Sequence, residues 1–137
     1  MPKCLICKDE YNPFIDFGDM PIANSFGSKE ELVDEYTFRM KVGFCTSCNM
    51  VQLVNQPNRE MMFHENYAFF SSTSNYMKEH FKDFSESIST LQDLTSNSFI
   101  VEIGCNDGIL LQNFEASGVP CLGIEPSANV AQVALSK

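Results

Sequence analysis

Four of the six cysteines fall into two pairs with the spacing of a metal site. Cys4 and Cys7 form one C-x-x-C pair, and Cys45 and Cys48 form the other. Zinc prefers tetrahedral coordination, and two such pairs supply a complete set of four thiolates. A four-thiolate shell leaves no open position for a substrate, so we predict a structural zinc ion. The alternative is two unrelated thiol pairs or a redox dithiol, but a redox motif usually occurs singly.

Disulfides explain the cysteines less well than a metal does. The residues after Met1 lead directly into the first cysteine pair, without the apolar segment of a signal peptide, so we expect a reducing, cytoplasmic location. Cys105 and Cys121 stand apart from the two pairs, in apolar surroundings. We expect both to be small buried side chains.

A second candidate site lies in the loop where Gly104 and Gly108 flank a tight turn. A dinucleotide site has the pattern G-x-G-x-x-G, but this chain has Asn106 at the second glycine position and no glycine at the third. Asp107 falls where phosphate groups would lie, and its carboxylate would repel them. S-adenosylmethionine has no phosphate and carries a sulfonium and an ammonium group. The loop therefore favours S-adenosylmethionine over NAD.

Two further carboxylates belong to this predicted nucleoside site. Glu102 precedes the loop and is compatible with a positively charged cofactor. Glu125 follows Gly104 by about 20 residues, at the end of the next predicted strand, where a carboxylate accepts hydrogen bonds from ribose hydroxyls. Glu125 therefore indicates that a nucleoside binds, but it is equally compatible with S-adenosylmethionine and NAD. An ordinary strand-to-helix turn with a solvated carboxylate remains the alternative.

The predicted secondary structure divides the chain into three regions. Residues 1–56 predict a small zinc-binding domain with short β-hairpins, and residues 57–97 a helical connector. In the connector, apolar residues recur at helical spacing and predict a helix packed along one face: Met77, Phe81, Phe84, Ile88 and Leu91. Residues 98–137 predict a strand-loop-helix-strand-helix order, the first βαβα part of a Rossmann-like parallel sheet. The predicted fold class is α+β.

The second cysteine pair is expected at the tip of a hairpin. Residues 36–44 alternate between apolar and polar side chains, as a half-buried strand does, and residues 50–54 form a second short strand. The residue after each pair's second cysteine often needs positive φ. These positions hold Lys8 and Asn49. Asn tolerates that conformation, whereas Lys carries a small penalty.

Composition excludes two classes of partner. The chain of 137 residues has a net charge of −9, and its basic residues are scattered singly, so we expect no nucleic-acid partner. No apolar run approaches the roughly 20 residues that cross a bilayer, so we expect no membrane partner.

Taken together, these motifs resemble the zinc-containing sugar C-methyltransferases. The resemblance covers both cysteine pairs and, along most of the chain, residues 17–24, 45–53, 67–72, 101–108 and 123–126. It implies a zinc-binding domain, a Rossmann-type S-adenosylmethionine domain and a further C-terminal domain. We therefore expect this chain to be the N-terminal part of a longer polypeptide, with the methyltransferase domain truncated.

The resemblance also implies a substrate and further site residues. The substrate class is a nucleotide-linked deoxy-keto-sugar, methylated on a carbon next to the ketone. Tyr67 and Ser72, together with the neighbouring Ser71, are implied beside the cofactor or sugar, and Pro126 follows the ribose carboxylate. Phe69 stands where relatives often carry a second tyrosine.

No catalytic residue is assigned within this chain. His64 and His80 are its only imidazoles, and neither has a paired carboxylate in the sequence, so both are expected to be surface or packing residues. The resemblance places the acid-base residues beyond the second strand, so we expect the chain alone to be inactive. Two other functions remain open: a zinc-stabilised binding module without catalysis, and an NAD-dependent sugar enzyme.

Overall fold

A computed structural model describes residues 1–23 and 26–137, so Asn24 of the resemblance lies outside the described residues. The chain divides into two compact units, Met1–Met62 and Phe63–Lys137. The predicted helical connector contributes helix α1, Arg59–Met62, to the first unit and helix α2, Asn75–Leu91, to the second. The three-part division of the chain stays a prediction.

The first unit is built on a three-stranded antiparallel sheet. Its strands are β1 (Asn12–Pro21), β2 (Thr37–Phe44) and β3 (Val51–Leu53), in the order β1-β2-β3. The register between β1 and β2 shifts twice along β1, the second time between Asp16 and Asp19. Gly18 lies within that shift at φ +82°, a conformation that glycine adopts without strain. Strands β2 and β3 form the predicted hairpin.

Helix α2 begins after a capping serine. The Ser74 side chain accepts a hydrogen bond from the Met77 amide, which satisfies one of the free N–H groups of the first turn. The expected packing along the whole apolar stripe is only partly right, since Phe84 is 43% and Leu91 72% exposed. Ser85 is buried instead, and Ile88, one turn later on α2, packs against the core cluster of this unit.

The rest of the second unit has the predicted element order. Strands β4 (Ile100–Ile103) and β5 (Cys121–Ile124) pair in parallel, with helix α3 (Leu111–Ala116) between them and helix α4 (Ala128–Leu135) after them. Cys105, Leu111, Phe114 and Val119 form the core cluster against these elements. The predicted order of elements and the parallel pairing of the strands are confirmed. Among the described residues, the sheet of this unit has two strands.

The predicted burial of the two isolated cysteines is confirmed for Cys105, whereas Cys121 is half-buried. Burial raises the pKa of both thiols, so both stay protonated at neutral pH. No helix in the described part of the chain is long and apolar enough to cross a membrane.

Candidate metal centre and cofactor cleft

The four cysteine sulfur atoms of the first unit converge on one point. Their Sγ atoms all lie within 4.8 Å of one another. Cys4 Sγ is 3.6 Å from Cys48 Sγ, and Cys7 Sγ is 3.5 Å from Cys45 Sγ. Zinc bound at about 2.3 Å to each thiolate in a tetrahedron separates the sulfur atoms by about 3.8 Å. The donor set therefore fits one zinc ion, with all four positions taken by protein.

Each cysteine pair is folded into a tight backbone turn. The Lys8 amide donates to the Cys4 carbonyl at 3.1 Å, and the Asn49 amide donates to the Cys45 carbonyl at 2.8 Å. Lys8 has φ +68° and Asn49 φ +60°, the left-handed conformation expected after each pair. The two turns are therefore alike, and the first one holds a lysine in a backbone region that L-residues seldom occupy.

The four thiols differ in how readily they ionise: the pKa is lowered for Cys4 and Cys45 and raised for Cys7 and Cys48. Burial disfavours the Cys4 thiolate, but the backbone amides of Cys7 and Ile6 and the side-chain amide of Gln52 donate to it and lower its pKa to about 6. The Asp9 amide favours ionisation of Cys7, but burial and the neighbouring thiols raise the pKa of Cys7 to about 12. Four thiolates this close together need a dication between them, so metal binding would release protons.

The second unit contains a cleft of about 420 Å³ at the ends of its two parallel strands. Ile103 and Ile124, the last residues of β4 and β5, line it. Five residues predicted to bind a cofactor line it as well: Tyr67, Gly104, Asn106, Glu125 and Pro126. In open parallel sheets, ligands bind outside the carboxyl ends of the strands, so this is the expected place for one.

Glu125 is held at the mouth of the cleft by two backbone amides. One carboxylate oxygen accepts from the Asn106 amide at 3.0 Å and the other from the Ser127 amide at 2.8 Å. Each oxygen of a carboxylate can accept a second hydrogen bond. The side chain is therefore oriented and retains capacity for two hydroxyl donors.

Gly104 presents bare backbone at the cleft. It has φ +79°, and a Cβ built on it would meet no heavy atom within 4 Å. The open space around Gly104 leaves room for a ligand to approach the main chain closely.

Four other predicted cofactor residues do not line the cleft. Asp107 is fully buried, and its carboxylate accepts from the Ser72 amide at 3.0 Å and from the Ser72 hydroxyl, with the Lys137 ammonium at 3.7 Å. Ser72 and Asp107 thus bind each other. A Cβ on Gly108 would lie 3.2 Å from Ala134 Cβ, so this glycine permits close packing of the loop on α4.

The fourth of these residues, Glu102, is half-buried in β4. Its Oε2 is buried without a hydrogen-bond partner among the described residues, and burial raises the pKa of the carboxyl group. The cofactor roles predicted for Ser72, Glu102, Asp107 and Gly108 stay predictions; here these residues act within the fold.

Asn106 of the loop and Asn129 of α4 bind the backbone of an aromatic segment, residues 67–72, whose Tyr67, Phe69 and Ser71 line the cleft. Asn106 Oδ1 accepts from the Ser71 amide at 2.9 Å, and its Nδ2 donates to the Phe69 carbonyl at 3.1 Å. Asn129 Nδ2 donates to the Tyr67 carbonyl at 2.8 Å. Ser71, which the resemblance implied beside the site, lines the cleft, whereas Phe63, Phe69 and the two strand-end isoleucines were not predicted as lining residues. The two Asx residues in the loop were the available signal, because such side chains readily bind nearby backbone.

Neither histidine lines the cleft. His64 Nδ1 accepts from the Asn66 amide at 3.1 Å in a local turn. His80 stacks edge-on against Phe81 with ring centroids 5.4 Å apart. Both contacts agree with the packing or surface roles expected for them.

The chain matches known proteins in two ways. Residues 4–63 match the family model Methyltransf_13, a zinc binding domain. Along 134 residues the chain is 26% identical to the C-methyltransferase NovU of Streptomyces niveus. The aligned region covers 96% of this chain and 32% of that protein. The chain thus spans about a third of the length of this curated relative. These matches confirm the predicted resemblance, and the match of the zinc binding domain to the four-cysteine cluster supports zinc as the metal.

Proposed function

We propose that this chain is the zinc-binding N-terminal part of an S-adenosylmethionine-dependent C-methyltransferase that acts on a nucleotide-linked deoxy-keto-sugar. The observation that carries the proposal is the cleft at the ends of β4 and β5, where Gly104 exposes backbone and Glu125 fixes a carboxylate. The similarity to a C-methyltransferase supports methyl transfer to carbon.

The cleft suits the nucleoside part of the cofactor. The free lone pairs of Glu125 would accept the two ribose hydroxyls, and the open side of Gly104 would let the nucleoside lie against the main chain. Tyr67 and Phe69 offer aromatic surface for a flat ring system. The fold is further proposed to be the start of a Rossmann-like sheet that the rest of the polypeptide completes.

The charge of the cleft favours S-adenosylmethionine over NAD. No Lys or Arg is found among the described residues that line it, and Glu125 is its acidic group. A pyrophosphate would find no cationic partner there, whereas a sulfonium and an ammonium group would be attracted. Asp107 is buried and does not line the cleft, so its charge does not select between the two cofactors, contrary to the expectation from the sequence. The preference rests on the residues that line the cleft.

The reaction divides the work between this chain and the rest of the enzyme. When bound, S-adenosylmethionine supplies an electrophilic methyl group. A sugar carbon becomes nucleophilic only after a base removes its proton and the adjacent carbonyl holds the charge as an enolate. This chain would bind and orient the nucleoside and exclude water with its aromatic wall. The base is assigned to the remainder of the polypeptide, and the zinc ion to stabilising the first unit.

Partners and location complete the proposal. The net charge of −9 argues against nucleic acid, and the cysteine pairs argue for a reducing, cytoplasmic location. The remaining part of the parent polypeptide is the expected structural partner.

Incubating the full-length enzyme with S-adenosylmethionine and nucleotide-linked keto-sugars tests the proposal. We expect a product with one added methyl group on carbon next to the ketone, and exchange of that position's hydrogen with deuterated water. Hydride transfer with NAD in place of methylation would establish the dehydrogenase alternative. Absence of both activities, with neither cofactor bound, would leave the binding-module alternative.

A further inference from the structure

One buried amide lies against the metal centre without being a ligand. Gln52, in the middle of β3, is 6% exposed. Its Nε2 donates to Cys4 Sγ at 3.2 Å, and its Oε1 accepts from the Leu5 amide at 3.0 Å. A single side chain therefore holds both a metal-binding sulfur and the backbone next to it.

The chemistry of the partners fixes the orientation of this amide. The Leu5 backbone N–H can only donate, so the carbonyl oxygen of Gln52 must face it. The NH₂ group then points at Cys4, whose thiolate can only accept. Both ends of the buried amide are satisfied in this orientation, and the opposite one would leave a buried donor facing another donor.

The position of Gln52 also joins the two cysteine pairs. Gln52 pairs with Gly43 in the hairpin that carries Cys45 and Cys48 at its tip. Its side chain reaches the other pair, which precedes β1 in the chain. The Gln52 amide thus tethers the first cysteine pair to the strand that follows the second.

We propose that Gln52 is a positioning residue for the zinc ion, holding the Cys4 thiolate in coordination geometry and taking up part of its negative charge. The proposal rests on the zinc assignment and goes beyond the proposed methyl transfer. Hydrogen bonds to a metal ligand orient it and tune its donation to the metal, and their loss typically costs 10–100-fold in metal affinity.

Two substitutions separate the two ends of the amide. Gln52→Leu removes both hydrogen bonds, whereas Gln52→Glu keeps an acceptor for Leu5 and places a carboxylate against the Cys4 sulfur. We expect zinc affinity, measured on the whole chain by competition with a chelator at fixed pH, to fall about 10–100-fold in both variants. Gln56→Leu is the matched control, because Gln56 is exposed and bonds only to the Leu53 carbonyl among the described contacts; its affinity should not change.

The absorption spectrum of the Co²⁺-loaded protein distinguishes a direct effect of Gln52 on the Cys4 thiolate from an effect on folding alone. Without the N–H donor, the Cys4 thiolate is more electron-rich, so the sulfur-to-cobalt charge-transfer band should shift to lower energy in Gln52→Leu. An unchanged band, or zinc affinity within two- to threefold of the parent, would overturn the proposal. If Gln52→Leu does not fold without metal, the spectrum of metal-loaded Gln52→Glu is measured in its place. An unchanged charge-transfer band in that variant would overturn the proposal. A parent chain that binds no zinc would instead refute the zinc assignment.

Discussion

The two loop glycines should respond differently to the same substitution. Gly104 and Gly108 both have positive φ, at +79° and +75°, where an L-residue is strained by about 1–2 kcal/mol. Around Gly104 that strain is the whole expected cost, since a new Cβ meets nothing within 4 Å. At Gly108 the new Cβ would lie 3.2 Å from Ala134 Cβ and 3.4 Å from its Cα, so overpacking adds about 1–3 kcal/mol.

Gly104→Ala should therefore lower the free energy of unfolding by about 1–2 kcal/mol, and Gly108→Ala by about 2–5 kcal/mol. Cofactor binding should show the opposite ranking in the folded proteins. The Gly104→Ala methyl group points into the cleft and should weaken S-adenosylmethionine binding at least tenfold, whereas Gly108→Ala changes packing against α4.

Urea denaturation and calorimetric titration of the full-length enzyme measure the two quantities. Gly118→Ala is the matched control, because Gly118 also has positive φ (+74°), a new Cβ there would meet nothing within 4 Å, and the residue does not line the cleft. Normal cofactor affinity in Gly104→Ala would refute the assignment of the cleft. A Gly108→Ala protein as stable as Gly104→Ala would refute the packing argument.

Four further predictions follow from the same geometry. Purified chain should contain one zinc ion by elemental analysis, and Cys4→Ser should remove it and unfold the first unit, as circular dichroism would report. Glu125→Ala should weaken S-adenosylmethionine binding by about 1–3 kcal/mol in calorimetry, because the ribose hydroxyls lose a charged acceptor. The hydrogen bond from Arg39 lowers the pKa of Asp16 from 3.8 to about 2, so its stabilising effect is complete above pH 4 and is lost as pH falls toward 2; Asp16→Asn should flatten acid denaturation in that window. His64→Ala should leave turnover of the full-length enzyme within a few-fold of normal, which a steady-state assay checks.

Local signals in the sequence were sufficient for the metal centre. The spacing of the two C-x-x-C pairs identifies the four ligands. The hairpin between residues 36 and 54 is indicated by alternating apolar and polar residues followed by a short apolar run. Positive φ at Lys8 and Asn49 was also predictable, because the turn after such a pair imposes it whatever residue is present. Gln52 was not, since its partners lie more than 40 residues away and no periodicity marks them.

The cofactor cleft was predictable only in part. The order of β4, α3, β5 and α4 follows from composition, and Gly104 and Glu125 follow from their places at the strand ends. Asp107 was expected to face the ligand, yet its carboxylate is buried and accepts a hydrogen bond from the Ser72 amide. Tertiary hydrogen bonds decide such a case, and one sequence does not reveal which way a loop carboxylate faces. The exposure of Phe84 was not predictable either, because Phe84 fits the apolar stripe of the helix and is nevertheless 43% exposed.

Titration of the full-length enzyme with S-adenosylmethionine and, separately, with NAD shows which of the two cofactors the cleft binds. We expect one S-adenosylmethionine to bind per chain, with weaker binding in Glu125→Ala, and no measurable heat with NAD. Saturable binding of NAD at the same cleft, also weakened in Glu125→Ala, with no binding of S-adenosylmethionine, would contradict this expectation.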